Sequence, residues 1–323
     1  MSGIRLLIAQ EVKHGAFVPI STFCFCLAVI SVSACETNQR SVKELSVQTP
    51  DVTLFARASG HLESGNVLIA VNGGPGLSSH YMLSLERLAN TELAVVTYDQ
   101  RGVSRSTDVR RIPDNFTLQK YVEDLEYVRA ASGAETVHLL GHSWGGLVAL
   151  SYAVTHPERI RSIVLVGCGP PTWDGIRTCF GKIQQRFVEL QASGLVPNDL
   201  TPGTQEFGEA ILAAYFSDPT FWFSSDDEGS APVQDHQVNQ LTWTAVQGYD
   251  LTSELSRLEH RVLVIRGEGD PCEPSMGQSV EEALSSAEIR SVTLKDCGHF
   301  WHECPEDFFA AVRPFLYVPA SRF

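Results

Sequence analysis

The sequence predicts an α/β fold in which a mostly parallel eight-stranded sheet is flanked by helices and carries an inserted helical cap. Short apolar runs of strand length alternate along the chain with segments of helical periodicity. The runs are continuously apolar, which is typical of parallel strands buried on both faces. Residues 169–249 interrupt this alternation with aromatic, acidic and helix-like sequence, so we expect them to form a cap over a site.

The elements follow in order along the chain. Two short strands are expected within 46–58, and the further strands at 66–71, 93–98, 137–140, 160–167, 261–267 and 289–296. An amphipathic helix is expected at 117–130, with Tyr121, Leu125 and Val128 on one face. The predicted organisation is a signal peptide at 1–34, a linker at 35–45, the core at 46–168 and 250–323, and the cap at 169–249.

Composition limits the classes of function. The chain has 323 residues, of which 43% are hydrophobic and 19% are charged. This length and composition are sufficient for a large hydrophobic core. The net charge is -14 and no basic run occurs, which argues against nucleic acid as a partner. No Cys-x-x-Cys or His/Cys spacing indicates a metal site.

The N-terminal segment has the pattern of an export signal. Arg5 and Lys13 precede an uncharged stretch at 15–34, which ends in the sequence "VSAC" at Cys35. These four residues resemble a bacterial lipobox, which implies cleavage before Cys35 and lipid attachment to its sulfur. Plain cleavage after Ala34 and an uncleaved anchor are the alternatives.

All three versions place the rest of the chain in the bacterial periplasm or cell envelope, with membrane contact only through the signal or lipid. A wrongly assigned start before a cytosolic enzyme is the fourth alternative.

Five cysteines lie beyond the signal and the lipidation site. They are Cys168, Cys179, Cys272, Cys297 and Cys304. Their odd number leaves at least one thiol unpaired. Cys272 and Cys297 follow two strands that we expect to meet, so they are a candidate disulfide, with buried free thiols as the alternative.

The stretch "VHLLGHSWGGLVALSYA" at 137–153 changes from strand to helix periodicity at a serine. A strand that turns directly into a helix needs neighbours without bulk, and Gly141 and Gly145 supply them around Ser143. The pattern Gly-x-Ser-x-Gly predicts an exposed nucleophilic serine on a strained turn. An ordinary serine N-cap is the alternative interpretation.

A serine nucleophile needs a base, and the base needs an acid to orient it. Asp270 follows the strand at 261–267, and His299 follows the strand at 289–296. Since functional groups collect at the carboxyl ends of parallel strands, Ser143, Asp270 and His299 are the candidate catalytic triad. His142, His302 and Glu268 are the nearby rivals, and we expect structural roles for them.

An acyl-transfer enzyme must also stabilise an oxyanion. The backbone N–H of Trp144, directly after the serine, is one expected donor. The loop "NGGPG" at 72–76 follows an early strand, and its Gly74 is the other. A plain tight turn is the alternative for this loop.

The motifs "NGGPG", "DQRGVSRS", "GHSWGG", "GEGDP" and "CGHFWHECPEDFF" occur here in one order. Together they resemble the prolyl aminopeptidase (proline iminopeptidase) branch of the α/β-hydrolase superfamily, over roughly 52–317. The resemblance implies the α/β-hydrolase fold, peptidase family S33, release of N-terminal residues, often proline, and no cofactor. Asn72, Ser104 and His142 stand where the branch has His, Gly and Gly, and its Trp-x-x-Trp-Glu pattern is absent from the cap.

A substrate with a free amino terminus needs carboxylates, because a buried ammonium group requires a partner. The cap acids that could bind it are Glu206, Glu209, Asp226, Asp227 and Glu228. The segment "SSDDEGS" that holds three of them also fits a solvated loop.

The sequence thus predicts an exported aminopeptidase of the proline iminopeptidase type that acts on small peptides. A carboxylesterase, lactonase or amidase with the same triad is the first alternative. A non-catalytic, membrane-anchored binding protein is the second.

Overall fold

The computed structural model of the protein describes residues 41–223 and 231–317, and eight strands of this part form one sheet. They are β1 (Val42–Gln48), β2 (Thr53–Ser59), β3 (Val67–Val71), β4 (Ala94–Tyr98), β5 (Val137–His142), β6 (Ile160–Val166), β7 (Arg261–Gly267) and β8 (Glu288–Leu294). Their order across the sheet is β1-β2-β4-β3-β5-β6-β7-β8. β2 is antiparallel to β1 and β4, and all other neighbouring pairs are parallel, which confirms the predicted sheet.

The α-helices of the described part follow in chain order. They are α1 (Leu118–Ser132), α2 (Trp144–Thr155), α3 (Trp173–Ala192), α4 (Gln205–Leu212), α5 (His236–Ala245), α6 (Thr252–Leu255), α7 (Ser275–Ala283) and α8 (Pro305–Tyr317). A 3-10 helix spans His80–Leu88. None of the helices in these ranges is both long and apolar enough to cross a bilayer.

The sheet is covered on both faces, which explains the continuous apolar runs. Every residue of β3 and β4 is buried. Tyr121, Leu125 and Val128 of α1 pack on one face together with α2, while Phe308 and Val312 of α8 pack on the other. A parallel strand has no solvent side under these conditions, so alternation of polar and apolar residues is lost.

The first strand begins earlier than predicted. β1 pairs with β2 from Val42 opposite Ser59 to Gln48 opposite Thr53, so the expected linker at 35–45 ends within a strand. Most of β1 is exposed and includes the charged residues Lys43 and Glu44, so its sequence lacks the apolar run of a buried strand. The predicted signal at 1–34 and the lipidation site Cys35 lie outside the described residues.

The helices α3, α4 and α5 lie between β6 and β7, within the range predicted for the cap. The buried side of α3, formed by Ile183, Phe187 and Leu190, packs against Ala214 and Met276. This apolar contact fixes α3 to the segment that follows β7, next to the predicted acid.

Candidate functional site

Ser143 is the single residue between β5 and α2, and its backbone is strained. Its φ is 54° and its ψ is −121°, a region that residues with a side chain rarely adopt. A Cβ at Gly145 would overlap the carbonyl oxygen of Val71, and one at Gly146 would overlap the sulfur of Cys168. The small residues therefore let α2 start directly against the sheet, as the sequence pattern predicts.

Asp270 and His299 meet beyond the ends of β7 and β8. The Nδ1 of His299 lies 2.5 Å from the Oδ2 of Asp270, and the Oδ1 of Asp270 accepts the N–H of Cys272 at 2.9 Å. Both side chains are buried, yet His299 lines the same cavity as Ser143. Because a carboxylate only accepts, Nδ1 carries the proton and Nε2 keeps its lone pair in the neutral ring.

The two predicted oxyanion donors are close to Ser143. Trp144 follows it directly, and Gly74 lines the same cavity. Gly74 has a φ of 124°, which its lack of a side chain permits. Within the described residues, neither of these backbone N–H groups donates to a protein acceptor, whereas the N–H of Gly73 donates to the Tyr81 hydroxyl at 2.5 Å.

Gln100 connects the two segments that carry these donors. Its Oε1 accepts the indole N–H of Trp144 at 3.0 Å, and its Nε2 donates to the carbonyl of Asn72 at 2.7 Å. The Nδ2 of Asn72 in turn donates to the carbonyl of Leu77 at 2.7 Å. Asn72, which departs from the branch pattern, therefore stabilises the loop at 72–77.

The motif "DQRG" also anchors the loop after β4. The guanidinium group of Arg101 donates to both carboxylate oxygens of Asp124, at 2.8 and 2.7 Å, and both side chains are buried. Ser104, another departure from the branch pattern, has a φ of 48°. A glycine would adopt this conformation without strain, which explains the glycine of the related motif.

The rivals for the catalytic roles make other contacts. His142 is buried between the Tyr81 hydroxyl and the backbone carbonyl of His299. The Nε2 of His302 donates to the carbonyl of Tyr81 at 2.9 Å, and burial lowers the pKa of His302 to about 4. Glu268 is exposed, and its neighbour Asp270 makes the contact with His299.

The cavity above Ser143 has a volume of about 310 Å³. Its floor, as we use the term, consists of the core residues Gly74, His142, Ser143, His299 and Phe300. Its roof consists of cap residues from α4, from α5 and from the segment before α5. The side chains of the roof with polar groups are Gln205, Glu209, Tyr215, Gln234, His236 and Asn239.

Only part of the predicted substrate-binding set lies in the described chain. Glu209 lines the cavity, and its Oε1 accepts from the Nε2 of Gln205 at 2.7 Å. Glu206 is exposed and does not line the cavity. Asp226, Asp227 and Glu228 lie outside the described residues.

Two cap contacts of the site carry no signal in the sequence. The backbone N–H of His299 donates to the carbonyl of Tyr215 at 2.7 Å. The Nδ2 of Asn239 donates to the carbonyl of Pro75 at 2.7 Å. The cap therefore contacts both the loop of the predicted base and the loop of the predicted oxyanion donor.

The expected disulfide between Cys272 and Cys297 is wrong. Cys272 pairs with Cys179 of α3, and Cys297 pairs with Cys304, so that the second disulfide encloses His299. The expectation considered only the two neighbouring strand ends and ignored the cap helix packed beside them.

Cys168 is the free thiol of the described part, and it is buried. Within 41–223 and 231–317, no three His, Cys, Asp or Glu side chains group as a metal ion would require.

Comparisons with known proteins identify the fold family and its relatives. A family model described as the alpha/beta hydrolase fold matches residues 66–303. A proline iminopeptidase of Lactobacillus helveticus is 25% identical over 276 residues, which cover 81% of this chain and 93% of the relative. A putative carbamate hydrolase of Caulobacter vibrioides is 26% identical over 284 residues, which cover 85% of this chain and 99% of the relative.

A solved structure is similar as well. The crystal structure of a proline iminopeptidase-related protein from Thermus thermophilus aligns with a TM-score of 0.60 and 26% sequence identity. The alignment covers 86% of this chain and 97% of that one.

Proposed function

Because this chain belongs to the α/β-hydrolase fold family, we propose that it is a serine hydrolase with Ser143, His299 and Asp270 as its catalytic triad. One observation carries the proposal. The buried contact between His299 and Asp270 opens on the same cavity as the strained Ser143. The comparisons support hydrolysis in general, and the geometry of these three residues supports the serine mechanism.

In this mechanism the Nε2 of His299 takes the proton of the Ser143 hydroxyl as the Oγ attacks a carbonyl carbon. The backbone N–H groups of Gly74 and Trp144 stabilise the resulting oxyanion. His299 then donates the proton to the leaving group as its bond to the carbonyl carbon breaks. A water molecule then attacks the acyl-enzyme while His299 takes its proton. The acid leaves as its bond to the Oγ breaks, and His299 returns the proton to Ser143.

We further propose an aminopeptidase of the proline iminopeptidase type, acting on small peptides. The proline iminopeptidases among its relatives support this, as does a cavity that suits a small N-terminal residue. Glu209 supports it more directly, because it is the carboxylate among the described cavity-lining side chains and could pair with a free amino group.

An esterase, lactonase or amidase is the second candidate. Gln205, Gln234 and Asn239 present neutral amides to the cavity, which suits an uncharged substrate. The similarity to a putative carbamate hydrolase is consistent with this class.

Export to the cell envelope is part of the proposal, with Cys35 as the lipid attachment site. The apolar stretch at 15–34 and the "VSAC" sequence support it. The disulfides Cys179–Cys272 and Cys297–Cys304 add support, because disulfides persist mainly in oxidising compartments.

The test measures kcat/KM of the purified protein with proline p-nitroanilide and with its N-acetylated form, using Ser143→Ala as the blank. A preference of at least 100-fold for the free amine supports the aminopeptidase. Turnover of p-nitrophenyl esters without cleavage of either anilide would instead support the second candidate.

A protein that cleaves none of these substrates and does not react with a fluorophosphonate would contradict the serine hydrolase proposal itself. The non-catalytic binding protein would then remain.

A further inference from the structure

Tyr81 and His142 form a buried connection between two loops that the proposed mechanism uses separately. The backbone N–H of Gly73 donates to the Tyr81 hydroxyl at 2.5 Å. This hydroxyl lies 2.7 Å from the Nδ1 of His142, whose Nε2 lies 3.0 Å from the backbone carbonyl of His299. A chain of three hydrogen bonds therefore runs from the glycine beside Gly74 to the predicted base.

The direction of each hydrogen bond follows from chemistry. A carbonyl oxygen only accepts, so the Nε2 of His142 carries the ring proton and donates to His299. The Nδ1 of His142 then has a lone pair, and the Tyr81 hydroxyl must donate to it. The same hydroxyl oxygen accepts from Gly73, so every polar atom in the chain has its proper partner.

Burial keeps the connection neutral. Both Tyr81 and His142 are fully buried. Burial lowers the pKa of His142 well below its usual range, so the ring stays uncharged beside His299 at neutral pH. A neutral ring with one donor and one acceptor suits a fixed structural link better than a proton shuttle.

We propose that Tyr81 and His142 are positioning residues that fix the oxyanion loop relative to the catalytic base. This inference rests on the proposed function. Two glycines in succession give the loop at 73–74 a backbone that is intrinsically free to move. The bond from Gly73 removes this freedom at one end. A Cβ at Gly73 would lie 2.9 Å from the Nδ1 of His142 and 3.1 Å from the Cβ of Ser143, so the loop rests directly on the link and on the serine.

A purely structural role must be separated from this one, since the Tyr81 ring also packs edge-on against His142 and Phe300. Tyr81→Phe keeps the ring and deletes both hydrogen bonds. Tyr152→Phe is the matched control, because its buried ring belongs to the core on the other face of the sheet. There its hydroxyl donates to Glu126 at 2.5 Å.

The experiment measures the second-order rate of Ser143 modification by a fluorophosphonate, in which an O–P bond forms and fluoride leaves, together with the melting temperature. This readout needs no knowledge of the natural substrate. We expect Tyr81→Phe to slow modification about 10- to 100-fold, since a misplaced oxyanion loop loses transition-state stabilisation. Tyr152→Phe should stay within twofold of the wild-type rate at a comparable loss of melting temperature.

A Tyr81→Phe rate within twofold of wild type overturns the inference, as does an equal loss in the control. If Tyr81→Phe does not fold, His142→Leu decides by the same criterion, because leucine has neither the hydrogen-bond donor nor the acceptor of the histidine ring. A wild-type protein that is not modified at Ser143 overturns the proposed function and this inference with it.

Discussion

The floor and the roof of the cavity differ in how their polar groups are held. On the floor, His142 and His299 are buried, and each has a fixed hydrogen-bonding partner. On the roof, Glu209 and Gln205 are exposed and form a hydrogen bond with each other. Fixed groups favour a defined transition state, whereas exposed groups can adapt to a ligand. We therefore expect the floor to determine the reaction and the roof to determine the substrate.

The largest expected effect concerns Asp270, the predicted acid behind His299. Asp270→Asn should lower kcat about 10³- to 10⁴-fold, because the amide no longer holds the proton on the Nδ1 of His299. KM should change less than about threefold, since the roof is intact. Steady-state kinetics with the best substrate measures both.

Asp296→Asn, an exposed carboxylate after β8, is the control for this change. A rise in KM with unchanged kcat for Asp270→Asn would show that the floor binds substrate rather than performing chemistry.

The two disulfides separate stability from turnover. Cys179–Cys272 joins the cap helix α3 to the core and spans 93 residues, while Cys297–Cys304 spans seven and encloses His299. By loop entropy, replacing both cysteines with alanine should cost roughly 4–5 kcal/mol for the first pair and about 2 kcal/mol for the second. Turnover should respond in the opposite order, with about a tenfold loss for the second pair.

Urea unfolding and kcat of the two double variants test this comparison, and each variant serves as the control of the other. Equal losses of kcat in both would mean that enclosure of His299 has no special effect.

Glu273 adds a pH dependence beside the floor. Burial raises its pKa from 4.5 to about 7, its Oε2 accepts the N–H of Gly277, and its Oε1 is buried without a described partner. Asp270, Arg266 and His299 are the charged or titratable groups nearby. Since the folded state binds the proton more tightly, stability should fall by up to about 3 kcal/mol between pH 4.5 and 7.

Glu273→Gln should remove this loss, so its stability relative to wild type should rise by about 1–3 kcal/mol between pH 5 and pH 8 in urea unfolding. Glu268 is an exposed glutamate of the same loop, so the stability of Glu268→Gln should change with pH as that of wild type does. Parallel curves for Glu273→Gln as well would refute the assignment.

The smallest effect concerns the roof. Glu209→Gln should raise KM for proline p-nitroanilide about 2- to 5-fold with little change in kcat, because an exposed ammonium–carboxylate pair contributes modestly. Ester substrates should be unaffected. Glu206→Gln on the same helix is the matched control, and equal behaviour of the two variants would exclude Glu209 as the ammonium site.

The sequence predicted the floor because its residues follow strands. A buried parallel strand is a visible apolar run, and Ser143, Asp270 and His299 each come just beyond one. The strained serine also requires small neighbours, which leaves a readable pattern. These features are local, so a single sequence contains them.

The roof could not be predicted in the same way. Tyr215 acts through its backbone carbonyl, which any residue could supply, and Asn239 reaches Pro75 across a long stretch of chain. The pairing of Cys179 with Cys272 depends on where α3 packs, which no spacing of cysteines reveals.

The central claim is that Ser143 is the activated nucleophile of the floor. The most direct measurement is the intact mass of wild type and Ser143→Ala after treatment with a fluorophosphonate, followed by peptide mapping. We predict one adduct on wild type, located on Ser143, and none on the variant. An unmodified wild type, or an adduct that persists in Ser143→Ala, would contradict the account.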